Sequence, residues 1–307
     1  MKLRLLTALL LTSSFLATAA PAQQAGAGRR RPLSDLRPRL QEIAAASKGR
    51  VGVAVELLET GEAVSIDGEG RYPMQSVYKL PIAMAVLQRV EAGSLKLDEQ
   101  VRVAEDEVAP AGMYSPLRDR HPKGGFEVSM RELLRTMMVE SDNTACDVLL
   151  RVVGGPAKVE EYLRGVGLDN IAVATTEREQ ATGPEVQYRN WATPLGMLKL
   201  LRALHEGRGL SAESRALLLK LMTDSTTGPR RLKGKLPAGT AVAHKTGTSG
   251  TDAAGLTRAT NDVGIITLPD GRHLAVVVFV SESKATTAVR EVTIARVARA
   301  AWDATAR

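Results

Sequence analysis

Apolar positions change their spacing several times along the chain. Between Leu33 and Ser47 they recur at helical intervals. Val51, Val53, Val55 and Leu57 then alternate with smaller or polar residues, the pattern of a strand with one buried face. Thr60-Gly61-Glu62 supplies a turn, and Ala63 to Ile66 the return strand of a hairpin. From Ser76 to about Asp224 the spacing is helical again: Leu80, Met84, Leu87 and Val90, then Met130, Leu133, Leu134, Met137 and Met138, then Leu195, Met197, Leu198, Leu200 and Leu201. No strand is expected to interrupt this stretch for long. Strand signals return at 240–246, 263–268 and 273–280, the last nearly continuously apolar, with Pro269-Asp270-Gly271 as a hairpin turn. A final helix is expected from about Lys284 to Trp302. Strands at both ends with helices between them predict an α/β (α+β) fold. Its sheet domain would come from residues 33–75 and 225–307, and residues 76–224 would form an inserted all-helical domain. A cleft is expected where the two meet.

The first 22 residues follow another pattern. Lys2 and Arg4 precede an apolar run, Leu5 to Leu11, continued by Phe15 and Leu16 and ending in Ala20-Pro21-Ala22. This reads as a secretory signal peptide cleaved after Ala22, giving a periplasmic or secreted protein. The run falls short of the roughly 20 residues that span a bilayer, so no stable membrane anchor is expected. Residues 23–32, rich in Ala, Gly, Gln and Pro with Arg29-Arg30-Arg31 among them, read as a disordered tail.

Composition narrows the function classes. The net charge of +7 falls to +5 without the first 22 residues, acidic residues are spread along the chain, and aromatic residues make up only 3 %, too few to build stacking platforms, so no nucleic-acid partner is expected. Cys146 is the single cysteine, so no intramolecular disulfide can form and the core must hold the fold. Its neighbours Ala145, Val148, Leu149 and Leu150 suggest a thiol packed as a small hydrophobe. His121, His205, His244 and His273 are scattered without ligand spacing, so neither a metal nor another cofactor is expected. Gly247-Thr248-Ser249-Gly250-Thr251 lacks the fifth-position glycine of a nucleophile elbow. A monomer is expected.

Three short segments carry the chemistry. In Ser76-Val77-Tyr78-Lys79 the first and last residues share a helix face, so the Lys79 amine can reach the Ser76 hydroxyl. A serine hydroxyl is a poor nucleophile until a base takes its proton. Ser141-Asp142-Asn143 follows Glu140 and precedes a helix, where the same residues would also serve as an N-cap. Lys245-Thr246-Gly247-Thr248 ends a strand, and its glycine would let a ligand approach the backbone closely. About one S-x-x-K arises by chance in a chain this long, whereas the three motifs in this order arise by chance in fewer than about one in a hundred.

In that order the motifs resemble those of the class A serine β-lactamases and penicillin-binding proteins. The resemblance implies an antiparallel sheet flanked by helices plus the helical domain, with small-molecule β-lactams as substrates. Ser76 would be the acylated nucleophile and Lys79 a base beside it. Ser141 would relay a proton to the leaving ring nitrogen, while Asn143 would hold the substrate's side-chain amide and help fix Lys79. Lys245 and Thr246 would bind the substrate carboxylate, and the N–H groups of Ser76 and Thr248 would form an oxyanion hole.

Class A hydrolases add a glutamate on an Ω-type loop, about 175–190 in this chain, where Glu177, Glu179 and Glu185 compete for the role of general base. The run from Gln187 to Pro194 resembles the loop end of the PER-like and CfxA-like branch, and counting back selects Glu177, with Glu179 second. Many class A enzymes have Leu-Asn three and four residues after this glutamate. Here stand Gln180 and Ala181, so the deacylating water must be held differently. Glu140, Cys146-Asp147 and His244 also resemble that branch, with His244 facing away from Lys245. Tyr114 would wall the cleft. Val263 precedes Gly264 where an arginine is common, so Arg231 would supply the second cation near the substrate carboxylate. The expected function is a serine β-lactamase that hydrolyses penicillins and cephalosporins through a Ser76 acyl-enzyme and confers β-lactam resistance, with cephalosporins favoured. The alternatives are a D-alanyl-D-alanine peptidase or a non-catalytic β-lactam-sensing module, both lacking a competent water.

Overall fold

Five strands from the two ends of the chain meet in one sheet, with helices on both of its faces. The computed structural model describes residues 32–306. The expected signal peptide and all but the last residue of the expected tail lie outside the described residues. A 3-10 turn (Leu33–Leu36) leads into α1 (Arg37–Ala45), then β1 (Arg50–Leu57), β2 (Glu62–Ile66) and β3 (Tyr72–Pro73). The middle of the chain gives α2 (Lys79–Glu91), β4 (Gln100–Val103), α3 (Pro116–Arg120), β5 (Phe126–Ser129), α4 (Met130–Arg135), α5 (Asn143–Val153) and α6 (Pro156–Gly165). After β6 (Ile171–Ala172), α7 (Glu177–Gln180) and β7 (Trp191–Ala192) come α8 (Pro194–Glu206) and α9 (Ala212–Thr223). The chain closes with β8 (Val242–Thr248), β9 (Thr260–Thr267), β10 (His273–Ser281) and α10 (Thr287–Thr305). The large sheet runs β2-β1-β10-β9-β8, with every neighbouring pair antiparallel.

β1 differs from its expected half-buried state: all but its first residue are buried. Val51, Val53, Val55 and Leu57 pack with Leu40, Ile43, Ile294, Val297 and Trp302 of the two terminal helices. The opposite face is also covered, but by small residues, which is why the alternation imitated a solvent-facing strand. A side chain at Gly52 would meet the Tyr72 ring at 2.5 Å and Pro194 at 2.6 Å. Ala54 joins the core of the helical part together with Val277 and Phe279, and the Glu56 carboxylate is neutralised by Arg202 of α8.

The helical stretch is also interrupted more than expected. β4 pairs with β5, and β7 pairs with both β3 and β6. Strands of two to four residues are too short to show a period. The last helix begins later than expected because Thr286 is its N-cap, accepting from the Val289 N–H, while Ser283 is held to Thr257 by paired backbone bonds. Among the described residues no helix is long and apolar enough to cross a membrane.

Candidate active site

Ser76 lies in a 3-10 turn (Gln75–Tyr78) that runs directly into α2, so Lys79 opens the helix one turn beyond it. Ser76 is half-buried and still reachable, whereas Lys79 is fully buried. Lys79 Nζ is 2.9 Å from Ser76 Oγ, 2.8 Å from the Ser141 carbonyl oxygen, 2.6 Å from Asn143 Oδ1 and 2.8 Å from Glu177 Oε1. An ammonium has three N–H bonds, and four oxygens surround this one. Transfer of one proton to the Glu177 carboxylate would leave an amine able to accept the Ser76 hydroxyl proton. Burial opposes the charge on Lys79, but the acidic groups around it, the Glu177 carboxylate foremost, together hold it above the ordinary lysine range.

Ser141 reaches this network through unusual backbone. After α4 the chain makes a π turn (Thr136–Glu140), and Ser141 follows in the left-handed region at φ 62°. Such turns and conformations cost free energy and gather at functional sites. The turn is pinned by Glu140, whose carboxylate oxygens lie 2.7 Å from Arg120 and 2.5 Å from Arg135. Asp142 is the N-cap of α5, accepting from Ala145 N, and its other oxygen accepts from Leu117 N and Ser115 Oγ. Asp142 is therefore scaffold, while Ser141 and Asn143 on either side of it turn to Lys79.

The third motif approaches from β8, at the edge of the sheet. Lys245 is fully buried and donates to Ser141 Oγ at 2.8 Å and to the Thr246 carbonyl at 3.0 Å. Burial first, and then the nearby Lys79, push Lys245 well below the ordinary lysine range. Packing also requires glycine at 247, where a Cβ would collide with the Met74 carbonyl oxygen. The strand must press against the turn that carries Ser76, and Asn261 of β9 ties the same turn by donating to the carbonyls of Pro73 and Met74.

The fourth approach is from the loop between β6 and β7. Thr176 and Glu179 close a capping box around α7, which uses Glu179 structurally. Glu177 is buried beside Lys79, while Glu179 and Glu185 are exposed. Asp147 of α5 accepts from the N–H groups of Glu177 at 2.7 Å and Arg178 at 3.0 Å. Burial pushes the Asp147 carboxyl up to about 6, with those backbone bonds working against the shift. Asn190 closes the loop, its Oδ1 accepting from Ala174 and Thr175 N–H and its Nδ2 donating to the Thr175 carbonyl.

The sequence profile of the β-lactamase enzyme family matches residues 35–305. The extended-spectrum β-lactamase PER-1 of Pseudomonas aeruginosa is 42 % identical, covering 87 % of this chain and 86 % of its own length. A β-lactamase crystal structure from Chitinophaga pinensis superposes with a TM-score of 0.85 at 48 % identity, over 88 % of this chain and 99 % of that one. A representative class A β-lactamase from Bacteroides cellulosilyticus gives 0.85 at 32 % identity, over 90 % and 99 %. The chain belongs to the class A serine β-lactamases.

In this β-lactamase the fold joins Ser76, Lys79, Ser141, Asn143, Glu177 and Lys245 through contacts of 2.6–2.9 Å. Thr246 is one residue from Lys245, and its hydroxyl is 2.7 Å from that of Thr227. Tyr114 is 58 % exposed, and its carbonyl accepts from Asn143 N. Arg231, expected to supply the second cation near the substrate carboxylate, lies 3.5 Å from Glu291 Oε1. It is buried, with Nη1 donating to the Gly247 and Asn261 carbonyls and Nη2 to Thr248 Oγ1 at 2.7 Å. His244 faces the other way, with Nδ1 2.9 Å from Asp262. Cys146 is buried against the Tyr78 hydroxyl, and burial raises its thiol well above the ordinary range.

Sequence reasoning overlooked Asp147 and Asn190 as loop anchors, and Gln75, whose side-chain amide donates to Gln187 Oε1 at 2.8 Å. Asp147 follows Asn143 by one helical turn, but that spacing does not name the backbone groups of the distant loop that it holds. The histidines are less scattered than they read in sequence, since His205 and His273 meet beside Glu59.

Proposed function

We propose that this β-lactamase is acylated on Ser76 and freed by a water that Glu177 activates. The observation that carries this reading is Lys79 Nζ between Ser76 Oγ and Glu177 Oε1, at 2.9 and 2.8 Å. With its spare proton on Glu177, Lys79 takes the Ser76 hydroxyl proton as Oγ attacks the β-lactam carbonyl carbon. The C–N bond of the ring then breaks, and the nitrogen takes the Ser141 hydroxyl proton. Lys245, 2.8 Å from Ser141 Oγ, is placed to replace that proton. Before the second stage the proton held by Glu177 passes, in net terms, to Lys245, which restores the carboxylate and the ammonium. Water then attacks the ester carbonyl, Glu177 accepts its proton, and the Ser76 C–O bond breaks with that proton returned to Oγ. Preorganised N–H donors at Ser76 and Thr248 would stabilise the oxyanion in both stages.

Lys245 and Thr246 would hold the substrate carboxylate, with Arg231 acting through the Thr248 hydroxyl it binds. Asn143 would take the substrate's side-chain amide, and Tyr114 would wall the cleft between the sheet part (33–75 and 225–307) and the helical part (76–224). Gln180 shares a face of α7 with Glu177, and neither polar atom of its buried amide has a protein partner. It is our choice to hold the water in place of the missing asparagine. The 42 % identity with a relative named extended-spectrum supports cephalosporins among the preferred substrates. The N-terminal pattern supports export to the periplasm with cleavage after Ala22, and a monomer suffices because every group named comes from one chain.

Mixing the protein with a chromogenic cephalosporin tests the reading. Many turnovers are expected from the natural sequence. Glu177→Gln should give a burst of one equivalent and a Ser76 adduct that persists in the mass spectrum. Unchanged steady turnover in that variant would move the role to another residue, Glu179 first.

A further inference from the structure

Two histidines and a glutamate distant in sequence converge at the end of the sheet away from Ser76. Glu59 lies in the turn between β1 and β2, His205 near the end of α8, and His273 opens β10. His273 Nδ1 is 2.8 Å from Glu59 Oε1, His205 Nε2 is 3.9 Å from the same oxygen, and the three potential ligand atoms all lie within 4.8 Å of one another. On β9 the partner of His273 is Thr267, while the partner of Thr248 is Thr260. At about 3.3 Å per residue this puts the cluster ~20 Å from the Lys245–Thr248 end of the sheet.

We propose that Glu59, His205 and His273 bind one divalent transition-metal ion of the zinc class, outside the hydrolytic centre. Zinc takes histidine nitrogens and carboxylate oxygens at about 2.0–2.2 Å in a tetrahedron, which puts ligand atoms roughly 3.3 Å apart. The two separations from Glu59 Oε1 bracket that value, so side-chain movements of about 0.5 Å correct both edges, and the remaining edge closes by no more than about 1.5 Å. A fourth position is left for water. Calcium and magnesium prefer oxygen ligands throughout, which two imidazoles do not supply.

An ordinary ion pair of Glu59 with His273 accounts for only part of this arrangement. It gives no reason for the His205 ring to lie 4.6 Å from the His273 ring and to aim a nitrogen at the same carboxylate. The carboxylate is also fixed from outside the triad's side chains, because both of its oxygens accept from the His273 backbone N–H. Such outer contacts orient metal ligands before the ion arrives. The side chains of His205, His273 and Glu59 are 27–33 % exposed, enough for a hydrated ion to reach them. Once bound, the ion would tie the β1–β2 turn and β10 to the end of α8.

The test is titration of chelator-treated protein with zinc chloride, followed by calorimetry and thermal unfolding. One ion per chain is expected, with a melting temperature raised by about 5 °C at a hundredfold excess over the dissociation constant. His205→Ala and His273→Ala should each weaken binding by at least the 10–100-fold that loss of an outer contact costs, with cephalosporin hydrolysis unchanged. Glu59→Gln keeps both rings and should weaken binding as well. Absence of binding would overturn the proposal, as would binding that survives the double histidine variant, which would mark ions held elsewhere.

Discussion

The groups around Ser76 and the loop that carries Glu177 are fixed to the fold in different ways. Lys79, Asn143 and Lys245 belong to α2, α5 and β8, elements whose other side chains fill the core. Leu80, Ile82 and Met84 of α2 are all fully buried, and Leu149 of α5 with them. Between β6 and β7, by contrast, the only regular pieces are the single turn of α7 and a 3-10 turn (Val186–Arg189). Polar contacts hold that loop: three from Asn190, two from Asp147, the Thr176 capping box and the pair of Glu177 with Lys79. A packed helix moves only by losing many contacts together, whereas a segment held by a few polar bonds opens locally at lower cost. On the proposed roles, acylation would draw mainly on the stiffer region, with Glu177 only storing a proton, and deacylation on the softer one. Single substitutions should separate the two steps.

The sharpest test of that division is Lys79, which belongs to both regions. Lys79→Ala removes the proposed base and should slow acylation by about 10²–10⁴-fold. It also strands the buried Glu177 carboxylate, and breaking a buried ion pair from one side costs about 3–5 kcal/mol of stability. Stopped-flow acylation and denaturant unfolding measure the two effects separately. Adding Glu177→Gln to Lys79→Ala should return stability toward that of the natural sequence without returning acylation. Recovery of both would show that Lys79 acts only by neutralising Glu177.

Asn190→Ala should act on the loop alone. It leaves the Ala174 and Thr175 N–H groups and the Thr175 carbonyl without their partner, and each stranded buried group costs about 1–3 kcal/mol. A displacement of about 1 Å in a positioned group can cost 10²-fold in rate. Deacylation should therefore slow by about that factor while the acylation burst keeps its rate, and amide exchange should quicken at residues 174–176. An equal loss in both steps would erase the distinction between the regions.

The same contrast explains what could be read before the structure. Ser76, Lys79, Ser141, Asn143 and Lys245 stand in short motifs where residue type and order carry the chemistry, so they were legible. Asn190 and Asp147 act on backbone groups 15 and 30 residues away in sequence, and no pattern of residue types announces a backbone partner. Gly247 reads as a point of close backbone approach, and the Met74 carbonyl that approaches it belongs to a turn distant in sequence. β1 reads as half-buried because its second buried face uses glycine, alanine and a neutralised glutamate, which look solvent-facing when only large apolar residues are counted. Glu177 fell between these cases. Its candidates were legible as a set of three, and the choice among them depends on which one the Asp147 contact turns toward Lys79.

Asp147 gives the mildest test, because it can be altered by pH as well as by mutation. Its carboxyl titrates near 6 in the fold, raised mainly by burial from an ordinary value of 3.8. Above pH 6 it is ionised and accepts strongly from the Glu177 and Arg178 N–H groups. As pH falls from 6 toward 4 the folded protein takes up a proton that the unfolded chain does not, so this group's contribution to stability rises in that window. Its grip on the start of α7 weakens at the same time. Deacylation and stability should therefore move in opposite directions as far as Asp147 is concerned. A hydrogen bond to a charged group contributes about 1.5–3 kcal/mol, so Asp147→Asn should slow deacylation by about tenfold at pH 7.5 while leaving stability equal or higher. It should also remove the part of the pH dependence of deacylation centred near 6. If the Asn variant kept that inflection, another group would be titrating, and Asp147 would hold the loop without tuning it.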